Sequence, residues 1–161
     1  MQTGTQFVFF CSHKGRTGYL SNWFSSNFEL DGIKFNCVEQ AMMHGKAVLM
    51  GDQDAANLVL TLTDPKTIKA LGRSVKNFDP KKWDENKRQV VKRALIAKFT
   101  QNKELGEKLK ATGSNVLVEA AHYDTVWGIG LSEDHPDARS PEKWPGENLL
   151  GKLLMEVRSE L

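Results

Sequence analysis

Glu39 and Lys46 stand seven residues apart in a stretch of helical character, so their side chains project from nearly one helix face. A carboxylate followed two turns later by an ammonium fits one wall of a polar cleft, and equally a solvated helix face. His44 lies off that face and reads as structural. Further on, Glu119 closes the apolar run Val116-Leu117-Val118, and Asp124-Thr125-Val126-Trp127-Gly128 follows it. A strand-end carboxylate, a second carboxylate and an indole beside a permissive glycine suit a pocket wall. A core Trp127 with Asp124 as turn former accounts for the same residues. Trp83 and Lys87, one helical turn apart, suit a ring stacked on a base with an ammonium at a phosphate; packing of Trp83 at a helix start is the plainer account. Arg73, just after Gly72, has the fork to clamp a phosphate or is a surface residue.

The short catalytic signatures are absent: the sequence holds no Walker loop, HExxH, GxSxG or CxxC. His13, His44, His122 and His135 are scattered without ligand spacing. Cys11 and Cys37 cannot by themselves complete a structural zinc site, which takes about four ligands. The expectation is therefore chemistry without a metal and without a cofactor.

The elements that must position these residues are mixed. Phe7 to Phe10 suits a short buried strand. Phe28-Glu29-Leu30 and Ile33-Lys34-Phe35 alternate around Asp31-Gly32, a hairpin signal. From Val38 the chain turns helical: Val38 to Met50, closed by Gly51-Asp52, then Gln53 to Leu62. Asp64-Pro65 starts a third helix, Lys66 to Leu71, which Gly72 is expected to stop. Asp79-Pro80 starts the longest helix, where Trp83, Lys87, Val90, Val91, Ala94, Leu95, Lys98 and Phe99 form one stripe that includes two lysines. Glu104 to Lys110 reads as a short helix ended by Thr112-Gly113, and Val116 to Glu119 as a buried strand. Ser132 to Trp144 reads as a loop. Asn148 to Val157 is a last amphipathic helix. The fold class expected is α+β, mainly helical, in a single domain over residues 1–161.

The composition bounds the function. With 22 Lys+Arg against 20 Asp+Glu, the formal charge is only +2, too little to mark a nucleic-acid protein by itself. A 40% hydrophobic and 26% charged chain is ordinary globular composition. Two cysteines make no disulfide framework and suit reduced thiols in a cytosol. Met1 to Phe10 lacks a basic leader and an apolar core, no run approaches the roughly 20 apolar residues of a membrane helix, and Arg158-Ser159-Glu160-Leu161 is no prenylation box. A soluble cytoplasmic protein, with no membrane role and no obligate protein partner, is the expectation.

Taken in order, the motifs are specific. They run Tyr19-Leu20-Ser21-Asn22-Trp23, Phe35, Val38-Glu39-Gln40, Lys46-Ala47, Gly51-Asp52, Leu71-Gly72-Arg73, Trp83, Lys87, Lys98-Phe99 with Gln101-Asn102, Leu117-Val118-Glu119, Asp124, Trp127-Gly128, Gly146 with Asn148-Leu149-Leu150-Gly151, and Leu154-Met155 with Val157-Arg158. This series resembles the YbiA-like, or NADAR, family over roughly Phe9 to Arg158. The resemblance implies a compact, helix-dominated α+β fold and an N-glycosidase that hydrolyses the C1–N bond of N-ribosides. The implied substrates are phosphorylated ribosylamino-pyrimidine intermediates of riboflavin synthesis, or ADP-ribose carried on guanine in nucleic acid.

By the same resemblance Glu39, Lys46, Glu119 and Asp124 are the catalytic candidates. Asn22, Trp23, Arg73, Trp83, Lys87, Trp127, Gly128 and Asn148 are the substrate-binding candidates. Cleavage of an N-glycosidic bond builds positive charge on the sugar, which a fixed carboxylate stabilises while another activates water. Glu39 is expected near the ribose, with Asp124 or Glu119 orienting water or hydroxyls. Lys46 has two expected roles, as a cation at a phosphate or at Glu39, or as a neutral amine that attacks C1. Two departures stand out: Ala41 replaces an aromatic usual in the family, and His44 a small residue. They keep open a second class of function, a module that binds NAD or ADP-ribose without hydrolysis. Glu133 to Trp144 has no close counterpart in shorter members.

Overall fold

The computed structural model of the chain describes residues 6–161. The expectation that Met1 to Phe10 carries no leader lies partly, at residues 1–5, outside them. The chain divides into two compact units. One is Asn22–Lys103; the other joins the segment ending at Ser21 to Glu104–Leu161.

Strand β1 (Phe7–Phe10) belongs to the second of these. The Asn22–Lys103 unit opens with the expected hairpin, in which β2 (Phe28–Leu30) and β3 (Ile33–Phe35) pair antiparallel, Phe28 opposite Phe35. Asp31 and Gly32 both take positive φ, 53° and 79°, which is what a two-residue turn of the hairpin hand demands. Helix α1 (Val38–Leu49) follows, then α2 (Gln53–Val59), α3 (Pro65–Gly72) and α4 (Pro80–Gln101). Asp52, Asp64 and Asp79 each cap a helix, accepting from Ala55 N, Lys66 N, and Lys81 and Lys82 N respectively. Helix α2 ends at Val59, before the expected Leu62, because Thr61 and Leu62 turn back by bonds to the Leu58 and Val59 carbonyls.

Gly72 corrects an expectation. It does not stop α3 but is its last residue, buried against α1. A Cβ there would lie 1.9 Å from the Met43 sulfur. Its lack of a side chain serves close helix approach rather than termination.

In the other unit β1 pairs in parallel with β4 (Val116–Glu119), Phe10 opposite Glu119. Both strands are nearly continuous apolar runs, as strands covered on both faces are. Helices α5 (Lys103–Ala111) and α6 (Leu149–Glu160) complete it. Gly18–Leu20 forms a buried 3-10 turn. The expected loop Ser132 to Trp144 is likewise ordered. It carries a 3-10 turn at Pro141–Lys143, Trp144 Nε1 donates to the Ala138 carbonyl at 2.9 Å, and Ala138 joins Phe9, Val118, Ala120 and Ile129 in the core. No helix of the described residues is long and apolar enough to cross a membrane.

Candidate functional site

The candidate residues fall into two sets, one in each unit. In the Asn22–Lys103 unit, α1 places Glu39 in its first turn and Lys46 in its last. Glu39 is only 5% exposed, so it is no solvated surface carboxylate. Its backbone N–H donates to the Asn22 carbonyl at 3.0 Å. That bond satisfies one of the N–H groups a helix start leaves open, and it brings Asn22 beside Glu39. Asn22 is buried, and its Oδ1 finds no hydrogen-bond partner among the described residues. A buried acceptor left open is costly unless a ligand or water fills it. Trp23 is half-buried next to it.

Lys46 is half-buried, and its ammonium faces two rings. Nζ is 4.7 Å from the Phe78 ring centre and 6.0 Å from that of Trp83. Burial pushes its pKa below the ordinary value, the Glu39 carboxylate pulls it back up, and the Arg73 guanidinium adds a push down. Glu39, Lys46 and Arg73 thus share one electrostatic neighbourhood. Arg73, the C-cap of α3, is itself exposed. Trp83 packs one side on the cluster of Ala47, Met50, Ala55, Ala56 and Val75, so it is both a helix-start core residue and a ring near Lys46. Lys87 pairs with Asp84, one turn back on α4. His44 packs edge-on against Phe35, and burial lowers its pKa. Ala41 is buried in the core.

Phe78 is a residue the sequence reading does not single out. It precedes the Asp79 cap, with Trp83 at the fourth helical position after it. Those are the two positions of a hydrophobic staple, a pattern visible in the sequence. Lys98, expected only as part of the α4 stripe, is fully buried. Its Nζ lies 4.9 Å from the Phe99 ring centre and 5.5 Å from that of Phe24, and burial pushes its pKa down to about 7. Cys37, the residue before α1, is buried too; its thiol is pushed up to about 11 by burial, against hydrogen bonds from backbone N–H groups.

The second set sits where β4 ends. Asn148 takes a left-handed conformation at the start of α6. Its Oδ1 accepts from Glu119 N at 3.0 Å and its Nδ2 donates to the Leu117 carbonyl at 2.9 Å. Asn148 is 1% exposed. Its amide is spent on the β4 backbone, so it positions Glu119 rather than reaching outward. Asp124 Oδ1 accepts from the N–H groups of Val126 and Trp127, each at 2.9 Å, which makes it the former of its own turn. The turn is sewn to the start of α6: Leu149 N donates to the Val126 carbonyl and Leu150 N to that of Trp127, both at 3.1 Å. Gly128 is buried where a Cβ would meet the Glu119 carbonyl at 2.9 Å. Trp127 is half-buried at the edge of this frame. Tyr123, also outside the expected set, is 64% exposed. Its hydroxyl lies 3.8 Å from the Cys11 sulfur, and burial, Cys11, Glu119 and Asp124 together push its pKa up to about 12.

Among the described residues no three His, Cys, Asp or Glu side chains cluster to hold a metal ion. The NADAR domain family model matches residues 9–161. The chain belongs to the NADAR family. It is 39% identical to N-glycosidase R617 of Acanthamoeba polyphaga mimivirus, over 99% of this chain and 98% of that protein. It is 40% identical to Protein irg-1 of Caenorhabditis elegans over 80% of this chain and 62% of that one. The NMR structure of the E. coli protein YbiA matches with a TM-score of 0.81 and 28% identity, covering 99% of this chain and 86% of that one. The likeness to YbiA bears out the expected α+β, mainly helical NADAR fold.

Proposed function

We propose that this NADAR chain, acting as one domain, is an N-glycosidase that hydrolyses the C1–N bond of N-ribosides. The observation that carries the reading is the buried Glu39 carboxylate, its backbone bonded to that of Asn22 and its charge coupled to Lys46 on one helix. The reading is supported by the name N-glycosidase on relatives that align along nearly the whole chain. Glycosidic cleavage builds cationic character at C1. A carboxylate removed from water stabilises such charge far better than an exposed one, because it needs no solvent reorganisation. Glu39 takes that part. Asn22 Oδ1 is an acceptor suited to a ribose hydroxyl.

Lys46 acts as a cation. Two ring faces near its ammonium favour the charged form, and Arg73 beside it makes the neighbourhood anion-seeking. The substrate class that fits is therefore a riboside bearing phosphate: a ribosylamino-pyrimidine phosphate, or ADP-ribose attached to guanine. For Glu119 and Asp124 the proposed roles are orientation of water and of sugar hydroxyls, and for Trp127 contact with the base or ribose. The cytoplasm is the proposed setting.

The test is a mass-spectrometric turnover assay with purified protein. The substrates are ADP-ribosylated guanine in an oligonucleotide, a ribosylamino-pyrimidine phosphate, NAD and ADP-ribose. Release of free base or ribose phosphate is the expected result, and the preferred substrate fixes the class. No product from any substrate, with stoichiometric binding of ADP-ribose, would overturn hydrolysis in favour of a binding module.

A further inference from the structure

Phe78 is 42% exposed, yet its backbone is fixed on both sides. Lys76 N donates to Asp52 Oδ2 at 2.9 Å, and Asp79 N donates to the Met50 sulfur at 3.2 Å. Both anchors belong to the corner between α1 and α2. Between them Asn77 sits at φ 60°, a conformation that costs a non-glycine residue about 1 kcal/mol or more. A segment tied down at each end and bent through a disfavoured residue holds a large ring in water. A lone exposed Phe needs no explanation, but a rigidly presented one lined up with a cation does. Trp83 has one side committed to the core cluster. Phe78 is thus the more exposed ring of the pair, and Lys46 Nζ lies over one of its faces, 4.7 Å from the centre.

Resting on the glycosidase reading above, we propose that Phe78 is a specificity-determining residue: its ring is a preformed stacking platform for the aromatic base of a nucleotide-like substrate whose phosphate is taken by Lys46 and Arg73. A fixed platform loses little freedom on binding, which is why pre-organised aromatic anchors contribute more than mobile ones. Every nucleobase offers a face for stacking, so the platform selects a base-bearing ligand over a bare sugar phosphate without choosing among bases. The cations beside it supply the complementary half of a base-plus-phosphate ligand.

The experiment compares two probes by calorimetry: AMP, which carries base and phosphate, and ribose 5-phosphate, which carries phosphate alone. Wild-type protein is expected to bind AMP more tightly. Phe78→Leu, which keeps apolar cover and removes the π-face, is expected to weaken AMP about tenfold and leave ribose 5-phosphate within twofold. Phe78→Tyr is expected to restore AMP affinity, and equal melting temperatures show that the exposed position does not govern folding. Equal losses for both probes would make Phe78 an electrostatic neighbour of Lys46 and overturn the proposal. No loss for AMP, or no preference for AMP in the wild type, would overturn it as well. These readouts measure binding alone, so a failure of base stacking on Phe78 is distinguishable from a failure of hydrolysis in the turnover assay.

Discussion

Glu39 and Asn22 are joined through the backbone: the Glu39 N–H donates to the Asn22 carbonyl at 3.0 Å, and both side chains are buried. The bond does two things at once. It caps the start of α1, where Cys37 offers no side-chain cap, and it ties Glu39 to the backbone of Asn22, whose buried Oδ1 has no partner among the described residues. The helix start also favours a negative charge in its first turn. One contact meets a structural need of the helix and holds the carboxylate proposed to act in the site.

Glu39→Gln keeps the volume and the backbone bond and removes the charge. Hydrolysis of the preferred riboside is expected to fall about 10²- to 10⁴-fold, the range for loss of a charge-stabilising or acid–base group. Thermal unfolding is expected to change little. A rate within a few-fold of wild type, measured on the folded variant, would remove Glu39 from the centre of the mechanism.

Lys46 governs the alkaline side of the pH profile. Burial, aided by Arg73, holds its pKa below the ordinary lysine value despite Glu39. With the ammonium as the proposed working form, activity is expected to fall as pH rises through that lowered pKa. Lys46→Arg keeps a cation to far higher pH, so its alkaline limb should move up even if its maximal rate drops. A borohydride-trapped adduct on Lys46 during turnover would instead show that a neutral amine attacks C1.

What is legible in the sequence is local. Asp31-Gly32, Asp64-Pro65 and Asp79-Pro80 each act through their own backbone, and each sits where its residue types predict. Gly72 is ambiguous because termination and close approach both call for glycine, and only the Met43 sulfur distinguishes them. Segment 132–144 is legible as a loop, whereas the packing of its Ala138 with Phe9 and Val118, residues remote in sequence, is not. The same holds for the site. Glu39 and Lys46 are legible from helical spacing, whereas the burial of Glu39 depends on tertiary contacts that spacing cannot show. Asn148 is legible as a motif residue, but its grip on Leu117 and Glu119 spans |i−j| of 31 and 29. Phe78 is legible only as half of a staple around Asp79.

The Asn148 grip has a measurable worth. Asn148→Ala removes two buried hydrogen bonds to β4 and leaves an alanine at φ 53°. Each lost bond costs about 1 kcal/mol, more where a buried partner is stranded, and the backbone strain adds about 1 kcal/mol. Urea denaturation is expected to show a loss of about 2–4 kcal/mol. Asn148→Gly removes the same bonds without the backbone strain and should lose less. Equal losses in the two variants would mean that the left-handed conformation costs nothing.

Lys98 makes stability rise with pH, the same direction as the usual acid loss but in a neutral to alkaline window. Its ordinary pKa of 10.5 is pushed down to about 7 by burial, so below pH 7 both folded and unfolded chains carry the proton and the folded state bears the full burial cost. Between pH 7 and 10.5 the unfolded chain binds more protons than the folded one, and stability rises with pH there. Cys37 acts with the other sign. Its thiol goes from an ordinary 9.0 to about 11 when buried, so above pH 9 the unfolded chain loses a proton that the folded chain keeps, and stability falls between pH 9 and 11. Chemical denaturation across pH should therefore show stability climbing from pH 7 to 9 and levelling above 9. Lys98→Met fills the same space without a charge to bury. It is expected to be at least as stable as wild type at about pH 7 and to lose most of the climb. An undiminished climb in Lys98→Met would assign the titration to another group, such as Lys46.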